Sequence, residues 1–166
     1  IAKEKAAGAL WHLAIDPTNQ GAIARANGIP PLVSLLDFDD GTEQTFTHAA
    51  DALARLAVDD EENQAQISKR LVVLLSSDTV VAQVRAARAL WCLASDQPNS
   101  PVVILNAGAL LPLVKMLSSG APEARKEAAG TLSTLAMNSQ ENQLAIAIGL
   151  VALLGSGDDE ASEHVT

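Results

Sequence analysis

Ala86-Ala87-Arg88-Ala89-Leu90-Trp91-Cys92-Leu93-Ala94 decides the fold, because its wording returns at Ala6–Ala14 (A-A-G-A-L-W-H-L-A), Ala49–Ala57 (A-A-D-A-L-A-R-L-A) and Ala128–Ala136 (A-A-G-T-L-S-T-L-A). The common form, A-A-x-x-L-x-x-L-A, puts its apolar positions on one stripe of a helix. Alanine stands where two helices must approach closely, and leucine where volume must be filled. Self-similarity of this kind marks an array of stacked units.

Two further phrases follow each copy. N-Q-x-x-I occupies Asn19–Ile23, Asn63–Ile67 and Asn142–Ile146, loosened in the third instance to Asn99-Ser100-Pro101-Val102-Val103-Ile104. An Asn ahead of a short apolar segment is expected to be its N-cap. L-V-x-L-L, or close to it, comes next at Leu32–Leu36, Leu71–Leu75, Leu113–Leu117 and Leu150–Leu154. Before two of these, Gly28-Ile29-Pro30-Pro31 and Gly108-Ala109-Leu110-Leu111-Pro112 offer a Gly to end one helix in a left-handed turn and a Pro to open the next. Each unit therefore reads as three helices, short, medium and long.

The equivalent leucines Leu10, Leu53, Leu90 and Leu132 are 43, 37 and 42 residues apart. A three-helix unit of that length with these phrases resembles the armadillo repeat, and the resemblance covers the whole chain. The third-helix wording is most similar to vacuolar, plant and protist members of that family. Helix-pair repeats of the HEAT type are the nearest competitor, but the Gly–Pro junction favours armadillo. The resemblance implies an all-α fold: a single right-handed α-solenoid over 1–166, with three complete repeats (17–59, 60–96 and 97–138) between two partial ones (1–16 and 139–166). Neither end carries a polar capping repeat, so the native array is expected to be longer.

The short interval has a location. Ile67 precedes its L-V-x-L-L by four residues, as Ile146 does, whereas Ile23 and Ile104 precede theirs by nine. Both shortfalls fall where the Gly–Pro junction belongs. Either these repeats fuse their first two helices, or five junction residues have dropped out of the sequence at each place; loop tips are where order usually fails, which favours the second reading.

Composition narrows the function. At 48% hydrophobic and 19% charged residues, the chain is a folded protein and not a tail. Aromatics make up 2% and Tyr is absent, which suits helices packed through small side chains. A net charge of −9 would repel a nucleic-acid backbone or an anionic membrane. The longest apolar run, Leu144 to Leu154, is too short to span a bilayer, and the N-terminus has no signal-peptide layout. One cysteine, Cys92, excludes an internal disulfide and fits a reducing compartment, so the expected location is cytoplasmic, with nuclear or assembly-bound alternatives.

Among armadillo proteins the third helices line a concave groove, where a Trp and an Asn four residues later clamp an extended peptide in the best-known members. Here the Trp place is held by Gly8, Asp51, Arg88 and Gly130, and the Asn place by His12, Arg55, Cys92 and Thr134. None matches, which argues against the nuclear-signal mode of those members. One turn earlier lie Lys5, His48, Arg85 and Glu127. Arg55, Arg85 and Arg88 would form a basic patch able to take an acidic segment through bidentate bonds. Alternatively Asp51 pairs with Arg55 and reaches Arg88, making a solvated ladder of little energetic value, the commoner outcome for exposed pairs. Trp11 and Trp91 sit one residue before the Asn place, turned toward neighbouring third helices, where they pack or serve as binding anchors.

No catalytic signature is present: no G-x-S-x-G, no Gly-rich phosphate loop, no H-E-x-x-H. His12, His48 and His164 lack the spacing of a metal site, and no cofactor is expected. The acidic clusters Asp37–Asp40, Asp59–Glu62 and Asp158–Glu160 are placed between helices, with Asp37–Gly41 only a faint echo of a calcium loop. The expected function is therefore a scaffold or adaptor binding protein partners, of acidic or extended character, along the groove. The alternative is a structural subunit of a large assembly that uses edges and convex face; less favoured still is the regulatory arm of an enzyme.

Overall fold

The computed structural model describes residues 2–37, 42–96, 98–137 and 139–163. They form ten helices: α1 (Ala2–Leu13), α2 (Pro17–Arg25), α3 (Ile29–Leu36), α4 (Glu43–Leu56), α5 (Glu61–Leu75), α6 (Val80–Asp96), α7 (Ser100–Asn106), α8 (Leu110–Ser119), α9 (Pro122–Ala136) and α10 (Gln140–Glu163). Phe38 to Gly41 and His164 lie outside the described residues.

The four copies of the alanine–leucine phrase are α1, α4, α6 and α9, and they stack in one row, α1 on α4, α4 on α6, α6 on α9. Ala7, Ala49, Ala86, Ala87 and Ala128 are fully buried in this row, where a larger side chain would hold the helices apart. On the same stripe Leu53, Leu56, Leu90, Leu93 and Leu135 enter a continuous core with Ile29, Leu32, Leu36, Ile67, Leu71, Ile104 and Leu113. Burying each such leucine contributes roughly 1.5–3 kcal/mol, so the stripe supplies most of the stabilisation. Thr131 adds a polar tie, donating across the row from α9 to the Ala87 carbonyl on α6 at 3.0 Å.

The N-Q phrase has a different role from the one its position suggests. The helix starts are capped by Asp16, which accepts from the Thr18 amide, by Asp60, which accepts from the Asn63 amide, and by Ser139 in front of Asn142. The Asn and Gln, already inside the helix, reach back to the exit of the preceding third helix. Asn19, Asn63 and Asn142 donate to the carbonyls of Leu13, Leu56 and Leu135 at 3.1, 2.9 and 2.8 Å. Gln20, Gln64 and Gln143 donate to Ala14, Ala57 and Ala136 at 3.0, 3.0 and 3.1 Å. Carbonyls left over at a helix C-terminus need donors, and this pair supplies two per repeat. In the third instance Ser100 and Pro101 stand in the same places, and the buried Ser100 hydroxyl has no partner.

The junctions differ from expectation as well. Gly108 has φ +92°, the left-handed turn proposed for it, but in the first repeat that turn is made by Asn27, at φ +61°. Gly28 is instead needed for space: a Cβ there would lie 2.7 Å from the Ile23 side chain and 2.9 Å from its carbonyl oxygen. The α7–α8 junction bends the chain by 80°. No such bend occurs at the two short junctions, because α5 passes unbroken through Ile67–Leu71 and α10 through Ile146–Leu150. Ile67-Ser68-Lys69-Arg70-Leu71 contains neither Gly nor Pro, so nothing stops the helix. In the chain as given, alternate repeats therefore carry a first and second helix joined in one rod. α10 also continues through Asp158–Glu160, which the sequence placed between helices.

Asn63 is buried while Asn19 is partly exposed, so their clamps should differ in worth. Asn63→Ala is expected to cost about 1–3 kcal/mol, by stranding the Leu56 carbonyl away from water, and Asn19→Ala less than about 1 kcal/mol. Urea unfolding curves measure both; equal losses would refute the burial argument.

Candidate functional site

The row of third helices carries two separate charge arrangements. At the N-terminal half, Phe46 of α4 is buried beneath the guanidinium groups of Arg85 and Arg88 from α6, 5.5 and 5.8 Å from its ring centre. Arg85 donates to the C-terminal Leu36 carbonyl of α3 at 3.3 Å. Arg88 bonds Glu43 of α4 at 2.9 Å and comes within 3.7 Å of Glu127 on α9. Arg88 therefore turns away from Asp51, and the ladder expected between them is replaced by a Glu43–Arg88–Glu127 bridge spanning three helices. The basic patch of Arg55, Arg85 and Arg88 does not assemble: Arg55 lies on the other half, and the remaining two are engaged in the scaffold.

At the C-terminal half a cleft of about 500 Å³ opens between α1, α4 and α6. Trp11 and Trp91 stand on its two sides, and Ala54 lies between them at the same place in the phrase. Alanine makes the floor low enough for the indoles to form walls. Trp11 lies parallel on His48, ring centres 5.4 Å apart, and against His12 at 4.5 Å. Gly8 makes this stacking possible, since a Cβ there would lie 3.1 Å from His48 Nδ1, a buried atom without a hydrogen-bond partner. Trp91 is 44% exposed. Asp51, Arg55, Cys92, Ser95 and Asp96 complete the cleft.

Burial holds the Asp51 carboxyl above its ordinary range, with Asp96 acting in the same direction while Arg55 and His48 oppose. Burial likewise pushes the Cys92 thiol up, and the Asp51 and Asp96 carboxylates add to this more than Arg88 subtracts. Cys92 is thus a protonated filler, with no thiolate chemistry at neutral pH.

The other residues singled out in the sequence fall outside the cleft. Lys5 is exposed on α1, Gly130 has open space above it, and Thr134 bonds back to the Gly130 carbonyl of its own helix. Sequence reasoning missed Asp96, Ala54, Phe46 and Glu43. Asp96 was within reach, as it continues the i, i+4 line from Arg88 through Cys92; Glu43 was not, because its contact depends on how Arg88 folds over Phe46.

Residues 96–137 match the family model described as Armadillo/beta-catenin-like repeat. Vacuolar protein 8 of Saccharomyces cerevisiae is 30% identical over 131 residues, which is 75% of this chain and 22% of that protein's length. An engineered protein of known crystal structure is 34% identical with a TM-score of 0.60, over 88% of this chain and 61% of its own. A designed armadillo repeat protein in complex with the peptide (KR)4 is 26% identical with a TM-score of 0.62, over 92% and 66%.

Because folding raises the affinity of Asp51 for its proton, the folded state loses stability as pH rises through the ordinary carboxylate range up to the raised value, and the penalty stays constant above it. Asp51→Asn is therefore expected to melt at a higher temperature than the parent at pH 7, with the difference vanishing below about pH 4. Thermal unfolding at the two pH values tests this; a variant less stable at pH 7 would mean that the Arg55 and His48 charges outweigh desolvation.

Proposed function

We propose, from the premise that this chain belongs to the armadillo-repeat family, that it is a binding scaffold that takes an extended segment of a partner protein along its row of third helices. The observation that carries this reading is the cleft with indoles on both walls. Aromatic side chains exposed beside a concavity are the residues around which binding energy concentrates, and a chain with two Trp in 166 residues sets both on one cleft. The armadillo fold binds proteins as a class, and the designed relative carries its peptide on the same fold. An acidic partner, suggested by the three arginines, loses its footing because Arg85 and Arg88 direct their donors to Leu36, Glu43 and Glu127. No catalytic role is proposed.

A second reading, a structural subunit holding neighbours by its edge, is favoured by one observation. Leu144, Ile148, Val151 and Leu154 form an apolar stripe along α10, each more than 60% exposed, beside Leu111 of α8 at 77%. The two readings separate by mutation. Peptides selected from an unbiased display library on the immobilised chain are expected to lose at least about tenfold in affinity toward Trp91→Ala, and less than about twofold toward a Leu111→Asp/Ile148→Asp variant. Circular dichroism checks that both remain helical. The opposite order would transfer the function to the α8–α10 edge.

A further inference from the structure

Independently of the groove reading, we propose that Asn27–Gly28, at the turn between α2 and α3, is a modification site: the Asn27 side-chain amide converts to an acid, and the native turn holds this off until α2 opens.

The chemistry follows from the pair of residues, the one Asn–Gly step in the chain. The Gly28 backbone nitrogen attacks the Asn27 side-chain carbonyl carbon, Cγ. A five-membered imide ring forms as the bond from Cγ to the amide nitrogen breaks, and that nitrogen leaves as ammonia with the Gly28 proton. Water then opens the ring. Attack at Cγ gives aspartate; attack at the main-chain carbonyl gives isoaspartate, with the chain rerouted through the side chain. Amide and water become carboxylic acid and ammonia, and nothing is oxidised or reduced. Glycine favours the first step because no Cβ crowds the attacking nitrogen. The amide is available, since Asn27 is exposed and its side chain makes no hydrogen bond among the described residues.

The fold closes this route in two ways. Asn27 stands at φ +61°, and the ψ that accompanies the left-handed region, about +47°, sets the Gly28 nitrogen roughly opposite the Asn27 Cβ across the Cα–C bond. Ring closure needs the two on the same side. The Gly28 N–H is also donated to the Ile23 carbonyl at 2.9 Å, with the backbone pressed so closely on Ile23 that a Cβ on Gly28 would lie 2.7 Å from its side chain. While the turn is formed, the nitrogen can neither rotate nor release its proton. The α7–α8 junction makes the same turn with Gly108 in the left-handed place, so it carries no amide to react.

What opens the turn is release of α2. That helix fully buries none of its residues, and Asn19 and Gln20 tie it to the end of α1. Segments held in this manner open locally, well short of global unfolding. Isoaspartate lengthens the main chain between the Asn27 Cα and the Gly28 nitrogen, which carries the Gly28 N–H away from Ile23. The turn then cannot re-form, and conversion is a one-way loosening of the first repeat.

The full chain is held at neutral pH, native and in urea, beside the pentapeptide Ala-Asn-Gly-Ile-Pro in both buffers, and mass spectrometry follows amide-to-acid conversion at residue 27. Native conversion is expected to be at least about tenfold slower than in the urea-unfolded chain, which should match the peptide. Asn19→Ala/Gln20→Ala frees α2 without touching the site and should speed native conversion at least about threefold, with circular dichroism showing the helices retained. Asn27→Gly keeps a residue suited to the left-handed turn and should show no conversion there. The isoaspartate form, separated by ion exchange, should melt below the parent. No conversion in urea would remove the site itself, and native conversion as fast as the peptide's would refute the lock. An Asn19/Gln20 variant no faster than the parent would mean that α2 is not the gate. An isoaspartate form that melts with the parent would mean that conversion does not loosen the repeat.

Discussion

The close approach of the third helices through alanine is the constraint on which the rest of the structure depends. Ala7, Ala49, Ala86, Ala87 and Ala128 are fully buried in the row. A larger residue at any of them would push neighbouring helices apart and misalign whatever the two helices present together. Gly8 carries the same principle further, leaving room for His48 and so letting Trp11 lie flat upon it. With the row fixed, residues far apart in sequence, Trp11, Asp51 and Asp96, share one cleft. Leucines on the same stripe of these helices supply the bulk of the stability, while the small residues set the spacing.

Polar clamps then determine how one repeat follows another. A third helix ends with carbonyls that have no intrahelical partner, and the Asn–Gln pair of the next repeat answers two of them. Each bond is worth on the order of 1 kcal/mol, small beside the leucine stripe, yet it is directional where hydrophobic burial is not. The pair therefore fixes the angle at which the chain turns back. Where Ser100 and Pro101 replace it, the α6–α7 turn lacks those side-chain donors, and the Ser100 hydroxyl is buried without a partner.

Charge on the third-helix row divides into a committed half and an available half. Arg85 and Arg88, stacked over Phe46 and bonded to Leu36, Glu43 and Glu127, tie α3, α4, α6 and α9 together. Toward the other end, Asp51 and Asp96 flank an open concavity between two indoles. Charged side chains thus serve cohesion in one place and line an open cleft in another. What separates them is the distance to an opposite charge, a quantity that no single helix contains.

The repeat phrase was legible from the sequence because it is local chemistry: A-A-x-x-L-x-x-L-A has the helical period, and its recurrence names the stacking units. Helix identity, the third-helix row and the inward leucines all follow from that periodicity. The junctions were half legible. Gly108 was read correctly, but Asn27 and Gly28 exchange roles, and the short junctions are fused rods in the chain as given, since a segment with neither Gly nor Pro has no reason to stop being a helix. The Asn of the N-Q phrase was placed correctly and assigned the wrong bond, because its acceptor belongs to the preceding helix. Tertiary structure alone decided which arginines are engaged, that Trp11 and Trp91 face one cleft across Ala54, and that Asp96 joins them. Helical period is a property of consecutive residues, whereas the sign and shape of a cleft arise from side chains that meet only after three helices have packed.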